Sequence, residues 1–197
     1  MTEGKDDLIP SEPEKEAVKA KEKVDKAEVK TSLKKGLIIM LIARVIGALV
    51  GFGGTSIVLG ARNNKEKTFT ASEFQITLTE GFSEKLVAGV TMAYSSPKVS
   101  VSFRKAAFTE STRDFSADQY ARSVMLASGL IADVKTDGDL TYFAADGKSA
   151  GGVKMTSFIY AFKTDECFWI VEFGVRQNQA DRYEKITKKY AESIVFN

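Results

Sequence analysis

The chain contains no histidine in its 197 residues. This excludes Ser-His-Asp and Cys-His nucleophile pairs, imidazole acid–base chemistry and His-ligated zinc or haem. It also removes the side chain that most often senses mild acidity. There is a single cysteine, Cys167, so neither an internal disulfide nor a multi-cysteine metal site is available. Net charge is nearly absent too: 28 basic against 26 acidic residues leave +2. No strong positive field invites nucleic acid, and no basic patch with interleaved aromatics appears in the C-terminal part. Prolines number three, and two of them, Pro10 and Pro13, fall in the first 35 residues.

What the chain does have is one long apolar run. From Leu37 to Leu59 it is interrupted only by Arg44 and the mild Thr55 and Ser56. A helix rising about 1.5 Å per residue needs about 20 residues to cross a hydrocarbon core of about 30 Å. The run holds 13 Leu, Ile, Val or Phe residues. At about −0.3 to −0.6 kcal/mol each they outweigh the roughly +3 kcal/mol of Arg44, whose side chain can also snorkel to the near interface. The expectation is a retained transmembrane helix over residues 36–60 that contacts the lipid bilayer. The rivals are a cleaved signal peptide, disfavoured by the 35 residues ahead of the run, and a soluble core helix.

Orientation follows from basic flanks. Lys19, Lys21, Lys23, Lys26, Lys30, Lys34 and Lys35 precede the span, while Arg62, Lys65 and Lys67 follow it. The excess predicts a single-pass protein of the cell membrane with a cytoplasmic N-terminus and an extracellular C-terminal domain. Within the span Ala43, Gly47, Gly51 and Thr55 recur every four residues, a small-residue face on which two helices can pair. The competing reading is that glycine is simply common in membrane helices.

Residues 1–35 carry nine lysines and nine acids with no aromatic residue. Such a segment buries too little apolar area to offset its ordering entropy, so a charged arm with fluctuating helix is expected. Its last lysines suit an anionic lipid surface, and a docking tail for another protein is the alternative. A linker over 61–67 leads into residues 68–197, enough for one domain with its own core.

In that domain Phe74, Ile76 and Leu78 alternate with polar neighbours, as in a half-buried strand. Leu86–Ala93 and Val99–Phe103 read as further strands around the breaker Ser95-Ser96-Pro97. Ser116 with Gln119 forms a capping box, Phe115 can staple onto Tyr120, and Gly129 supplies the stop. A meander follows: Ile131–Lys135, a turn at Asp137-Gly138, Leu140–Ala144, a loop over Asp146–Gly152, Val153–Phe162, a turn at Thr164–Glu166, and Cys167–Val175. The last strand is apolar at odd and even positions alike, so it should lie centrally with both faces covered. Asn178 with Asp181 is the candidate N-cap of a final helix whose stripe is Tyr183, Ile186, Tyr190 and Ile194. The fold class expected is α+β, one antiparallel sheet with helices on both faces.

Motifs that carry chemistry are weak. Gly147-Lys148-Ser149 ends like a P-loop, but Tyr142 stands where its first glycine belongs. Asp137-Gly138-Asp139 lacks the rest of a calcium loop and reads as a turn. Cys167 reads as a buried small hydrophobe rather than a reactive thiol, and Phe168, Trp169 and Phe173 as core rather than a ligand cage. No catalytic, cofactor or metal-binding residue emerges.

The order of elements has a family likeness. Glu73-Phe74-Gln75-Ile76-Thr77-Leu78 runs into Gly81-Phe82, a helix near Tyr120 follows, then Phe168-Trp169-x-Val171-x-Phe173, and the chain closes on Ala191-Glu192-Ser193-Ile194. This resembles the PsbP-like superfamily, named after an extrinsic subunit of photosystem II and including many bacterial envelope proteins of unassigned role. Thr79 stands where such chains often carry proline. The resemblance implies an α/β/α sandwich over Phe69–Phe196 acting as a binding or assembly module. Together these readings predict a membrane-anchored, non-catalytic module that recognises a protein partner. Two alternatives are a signalling protein working through helix pairing and an enzyme built on carboxylates alone.

Overall fold

The structure is a computed structural model that describes residues 65–79, 81–149 and 151–197. The arm, the apolar span Leu37–Leu59 and the stripe of Ala43, Gly47, Gly51 and Thr55 lie outside the described residues. Among the described residues no helix is long and apolar enough to cross a membrane.

The domain is α+β with ten strands, all antiparallel. They are β1 (Glu66–Thr70), β2 (Phe74–Thr79), β3 (Ser83–Lys85), β4 (Met92–Ser95), β5 (Val99–Ala107), β6 (Lys135–Asp137), β7 (Leu140–Lys148), β8 (Lys154–Lys163), β9 (Cys167–Arg176) and β10 (Val195–Phe196). Helix α1 spans Ala117–Ala127, and helix α2, Ala180–Glu192, follows a 3₁₀ turn at Gln177–Gln179. Two sheets form where one was expected: β1-β2-β10 and β3-β4-β5-β9-β8-β7-β6. The short C-terminal strand was not foreseen. It pairs Phe196 with Phe74 and stacks the Phe196 ring on Trp169 at 5.3 Å.

Strand β9 is the fourth of seven and is buried at every position but Arg176, as its unbroken apolar pattern requires. Its odd residues, among them Trp169, Val171 and Phe173, join one core cluster with Phe74, Ile76 and Leu78 of β2 and with Tyr183 and Ala191 of α2. Its even residues Phe168 and Ile170 join a second cluster with Tyr120, Ala121, Val124 and Met125 of α1. Because successive side chains point to opposite faces, the two helices lie on opposite faces of the large sheet. One face carries α1; the other carries α2 together with the small sheet.

Helix α1 is local chemistry carried through. Gln119 N–H donates to Ser116 Oγ at 3.2 Å and Ser116 N–H donates to Gln119 Oε1 at 2.8 Å, the reciprocal capping box. At the other end Leu130 N–H donates to the Met125 carbonyl and Gly129 N–H to that of Leu126, with Gly129 at φ +65°. That pair of bonds is a Schellman stop.

Several expected boundaries move. Of the expected strand Leu86–Ala93 only Met92 and Ala93 are strand, the start of β4, and Leu86–Thr91 is a loop: Gly89 at φ +80° breaks it and Leu86 is 97% exposed. The expected strand Ile131–Lys135 begins only at Lys135, since the chain must first return from the helix stop to the sheet edge. The loop expected over Asp146–Gly152 shrinks to 149–153, because Gly147 and Lys148 stay paired with Met155 and Lys154. Helix α2 is capped at Gln179 without a side-chain bond, not at Asn178, because β9 runs on to Arg176 and the 3₁₀ turn takes up Asn178. Strand β1 uses Glu66 and Lys67, the end of the expected linker.

Candidate functional site

Helix α1 covers only one end of its sheet face, and the rows of that face can be followed through the register. Under the helix end lie Ile170 and Phe168 of β9, with Tyr120 stacked on Phe168 at 4.0 Å and 7°. Farther along is a row running Lys85, Ala93, Ser102, Glu172, Ile159 and Phe143. The next row reads Ser83, Ser95, Ser100, Gly174, Ser157 and Ala145. Across six strands it has no side chain larger than serine. Small residues there sink the surface into an open trough with a cavity of about 90 Å³. Val87, Leu130, Met155 and Ile159 supply apolar wall, and Lys85 stands at its edge.

Gly174 is what keeps the floor low. A Cβ there would lie 2.7 Å from Ser100 Oγ, closer than side chains tolerate, so any larger residue must displace the Ser100 hydroxyl.

Between the covered and the open rows lies a buried ion pair. Arg104 Nη2 donates to Glu172 Oε2 at 2.7 Å, with both side chains almost fully buried. Ser157 Oγ donates to Glu172 Oε1 at 2.7 Å, so both carboxylate oxygens are held. Burial pushes the Glu172 carboxyl up, opposed by the Arg104 guanidinium and the Ser157 hydroxyl. Burial likewise pulls the Arg104 guanidinium down, with Glu172 opposing it. Two buried polar atoms, Ser102 Oγ and Arg104 Nε, have no hydrogen-bond partner among the described residues. Asp146, the other carboxylate residue of the lining, accepts from Thr156 Oγ1 and Gln177 Nε2 at 2.6 Å each.

None of the motifs weighed in the sequence meets at this trough as a reactive group. Cys167 is buried at the other end of β9, its Sγ 3.4 Å from Thr164 Oγ1. Phe168, Trp169 and Phe173 are core. Asp137-Gly138-Asp139 is the turn between β6 and β7, with Gly138 at φ +59° at the first central position of a two-residue hairpin loop. Asp137 binds Lys188. Lys148 closes β7, and Ser149 Oγ accepts from the Val153 N–H at 3.2 Å. Among the described residues no group of three His, Cys, Asp or Glu is placed to hold a metal ion. The sequence reading missed Arg104, Glu172 and the serines. Two signals were there: Ser100, Ser102 and Arg104 alternate with Val99, Val101 and Phe103, and Glu172 is the lone charge within Cys167–Val175.

No protein-family model matches the chain, and no curated protein matches it in sequence. Among solved structures it is similar to a protein of Bacteroides thetaiotaomicron VPI-5482, with a TM-score of 0.48 and 13% identity over 68% of this chain. The chain spans only 49% of that protein's length. It is also similar to the cyanobacterial PsbP (CyanoP) of Synechocystis sp. PCC 6803, with a TM-score of 0.44 and 10% identity over 75% of this chain and 100% of the other. The likeness in both is one of fold alone, at TM-scores of 0.48 and 0.44, and nothing about family, activity or membrane anchoring rests on it.

Proposed function

We propose that the chain is a non-catalytic binding module, a PsbP-like domain held outside the cell by the helix over residues 36–60, and that it recognises a protein partner. The observation that carries this reading is the uncovered half of the α1 face, a trough floored by small residues beside a buried ion pair. Exposed apolar residues neighbour its lining, two along the chain and one by a backbone hydrogen bond: Leu86 and Ile131 are fully exposed and Val153 is 43% exposed. Each adjoins a lining residue, Val87, Leu130 or Ser149, and such a rim fits macromolecular contact. A carboxylate enzyme needs two facing acids free to exchange protons. Here Glu172 and Asp146 are both engaged by neutral or cationic partners.

The test is chemical crosslinking and capture with the full-length protein in mild detergent, comparing the native chain with Ser95→Trp, which fills the trough from β4, the strand next to the sheet edge. A partner retained by the native chain and lost from the variant is the expected result. An identical set of captured proteins overturns the reading, as does hydrolysis of ester, phosphate or peptide substrates above a buffer control. Release of the intact protein by carbonate washing, or resistance of the domain to protease added to whole cells, overturns its proposed address.

A further inference from the structure

We infer that the trough receives an acidic, extended peptide segment of the partner, with one aliphatic side chain seated in the cavity and carboxylates to either side of it. The inference rests on the protein-recognition reading above and specifies its ligand.

Size decides against a free small molecule. Pockets for drug-sized ligands run to about 300–1,000 Å³, whereas this cavity is about 90 Å³. A space of that volume takes one aliphatic side chain, the kind of anchor that interfaces seat in a small pocket. Its walls of Val87, Leu130, Met155 and Ile159 match such a group. The hydroxyls of the floor, with Ser102 Oγ unpartnered among the described residues, suit the peptide amides on either side of it.

Charge decides the flanks. Glu172 is neutralised by Arg104, and the other carboxylate of the lining, Asp146 on β7, is held by Thr156 and Gln177 five strands away from Lys85. Lys85 stands at one margin. Arg176 lies on the same strand and face as Glu172, beyond Gly174, exposed and opposite Met155. Neither Lys85 nor Arg176 forms an ion pair with a described residue. Both cations are thus open to carboxylates brought by a ligand.

Their separation decides between one anion and several. Lys85 shares a row with Glu172 three strands away, about 14 Å at the usual strand spacing, and Arg176 is four residues farther along β9, about 13 Å. The diagonal of about 19 Å is beyond a single carboxylate and equals about six residues of extended chain. Acids on both sides of a central aliphatic residue meet both cations at once.

The probe is the fluorescein-labelled peptide Asp-Glu-Ser-Leu-Ser-Glu-Asp with an amidated end, titrated by anisotropy into the full-length protein in mild detergent at low salt. Saturable binding is expected, weakened at least tenfold by replacing Leu with Ser, at least tenfold by replacing the four acids with Asn and Gln, and several-fold by raising the salt. In the protein, Lys85→Glu with Arg176→Glu should weaken binding at least tenfold, and both residues are exposed, so the fold is retained. Ser95→Trp should abolish binding. Equal binding of the Ser-for-Leu peptide, or of the uncharged one, overturns the inference, as does the absence of saturable binding. The two readings fail differently. If Ser95→Trp loses a captured partner while the acidic peptide never binds, recognition by the trough stands and its acidic ligand falls. If the captured set is unchanged as well, both fall.

Discussion

The same sheet face carries two kinds of surface that differ in the side chains they present and in what lies over them. Where α1 sits, the strands present Phe143, Ile159, Phe168 and Ile170, and the helix answers with Tyr120, Val124 and Met125. One or two rows away they present Ser95, Ser100, Ser157 and Gly174, and among the described residues no helix lies over them. Strand pairing is continuous across both halves, so backbone hydrogen bonding does not set them apart. The covered half stabilises the fold by removing apolar area from water, worth about 1.5–3 kcal/mol for each large side chain. The floor of the open half is serine, alanine and glycine, so covering it would add little to that stabilisation. A surface that stability does not need is free to be shaped for a ligand.

The sharpest way to break this division is at its boundary, the Arg104–Glu172 pair. Glu172→Leu leaves a guanidinium buried without its carboxylate and is expected to cost about 3–5 kcal/mol, because the desolvated charge has no partner. Arg104→Met combined with Glu172→Leu removes both charges and should recover most or all of that loss, since a buried ion pair is often no more stable than well-packed apolar groups. Urea unfolding of the two variants measures it. A double variant as unstable as the single one would show that the pair holds the boundary through packing rather than charge.

Gly174→Ala tests the open side with a smaller effect. The new Cβ meets Ser100 Oγ at 2.7 Å, and about 1 kcal/mol is expected, at the low end for overpacking because the hydroxyl can rotate away. Adding Ser100→Gly should restore the native urea midpoint, and failure to do so would place the strain elsewhere.

Across the sheet rather than along it, the comparison can be read by pH. Tyr120 on the α1 face and Tyr94, Tyr142, Tyr160 and Tyr190 on the other are all held above the ordinary phenol value of 10.0, chiefly by burial. Native Tyr160 therefore keeps its proton where the unfolded chain has lost it, and the folded state binds more protons. By linkage this contribution is intact below pH 10 and is lost progressively as pH rises beyond it. Denaturation midpoints should fall steeply above pH 10. Tyr160→Phe should make that fall shallower while lowering stability slightly at neutral pH, where it forfeits the bond to Thr187 Oγ1 at 3.3 Å.

How much of this was legible in the residues depends on whether the signal was local. The capping box at Ser116, the stop at Gly129 and the doubly buried β9 follow from neighbours in sequence and were read correctly. The loop at Leu86–Thr91 was misread because an apolar run looks like a strand until Gly89 takes a positive φ. The pairing of Val195–Phe196 with β2 joins residues about 120 apart in the chain, and nothing local announces it. The trough is the extreme case. Ser83, Ser95, Ser100, Gly174, Ser157 and Ala145 come from six strands, and only their register makes them one row. Glu172 was visible as a lone charge in an apolar run, but its partner lies 68 residues away.

The smallest predicted effect bears most directly on whether the open half is built for binding. Ser102 Oγ is buried and unpartnered among the described residues, and an unsatisfied hydroxyl costs free energy that an apolar group of the same size does not. Ser102→Ala should therefore leave stability within about 0.5 kcal/mol of the native chain, or raise it. In the covered half the same kind of truncation behaves oppositely, because Phe168→Ala opens a cavity beneath Tyr120 and should cost about 3–5 kcal/mol. If Ser102→Ala instead cost more than about 1 kcal/mol, its hydroxyl would be contributing to the fold, and the row beside Glu172 would belong with the covered half. If it is neutral or favourable for stability but weakens binding of the acidic peptide, the hydroxyl contributes nothing to the fold, which is the behaviour expected of a group that serves a ligand.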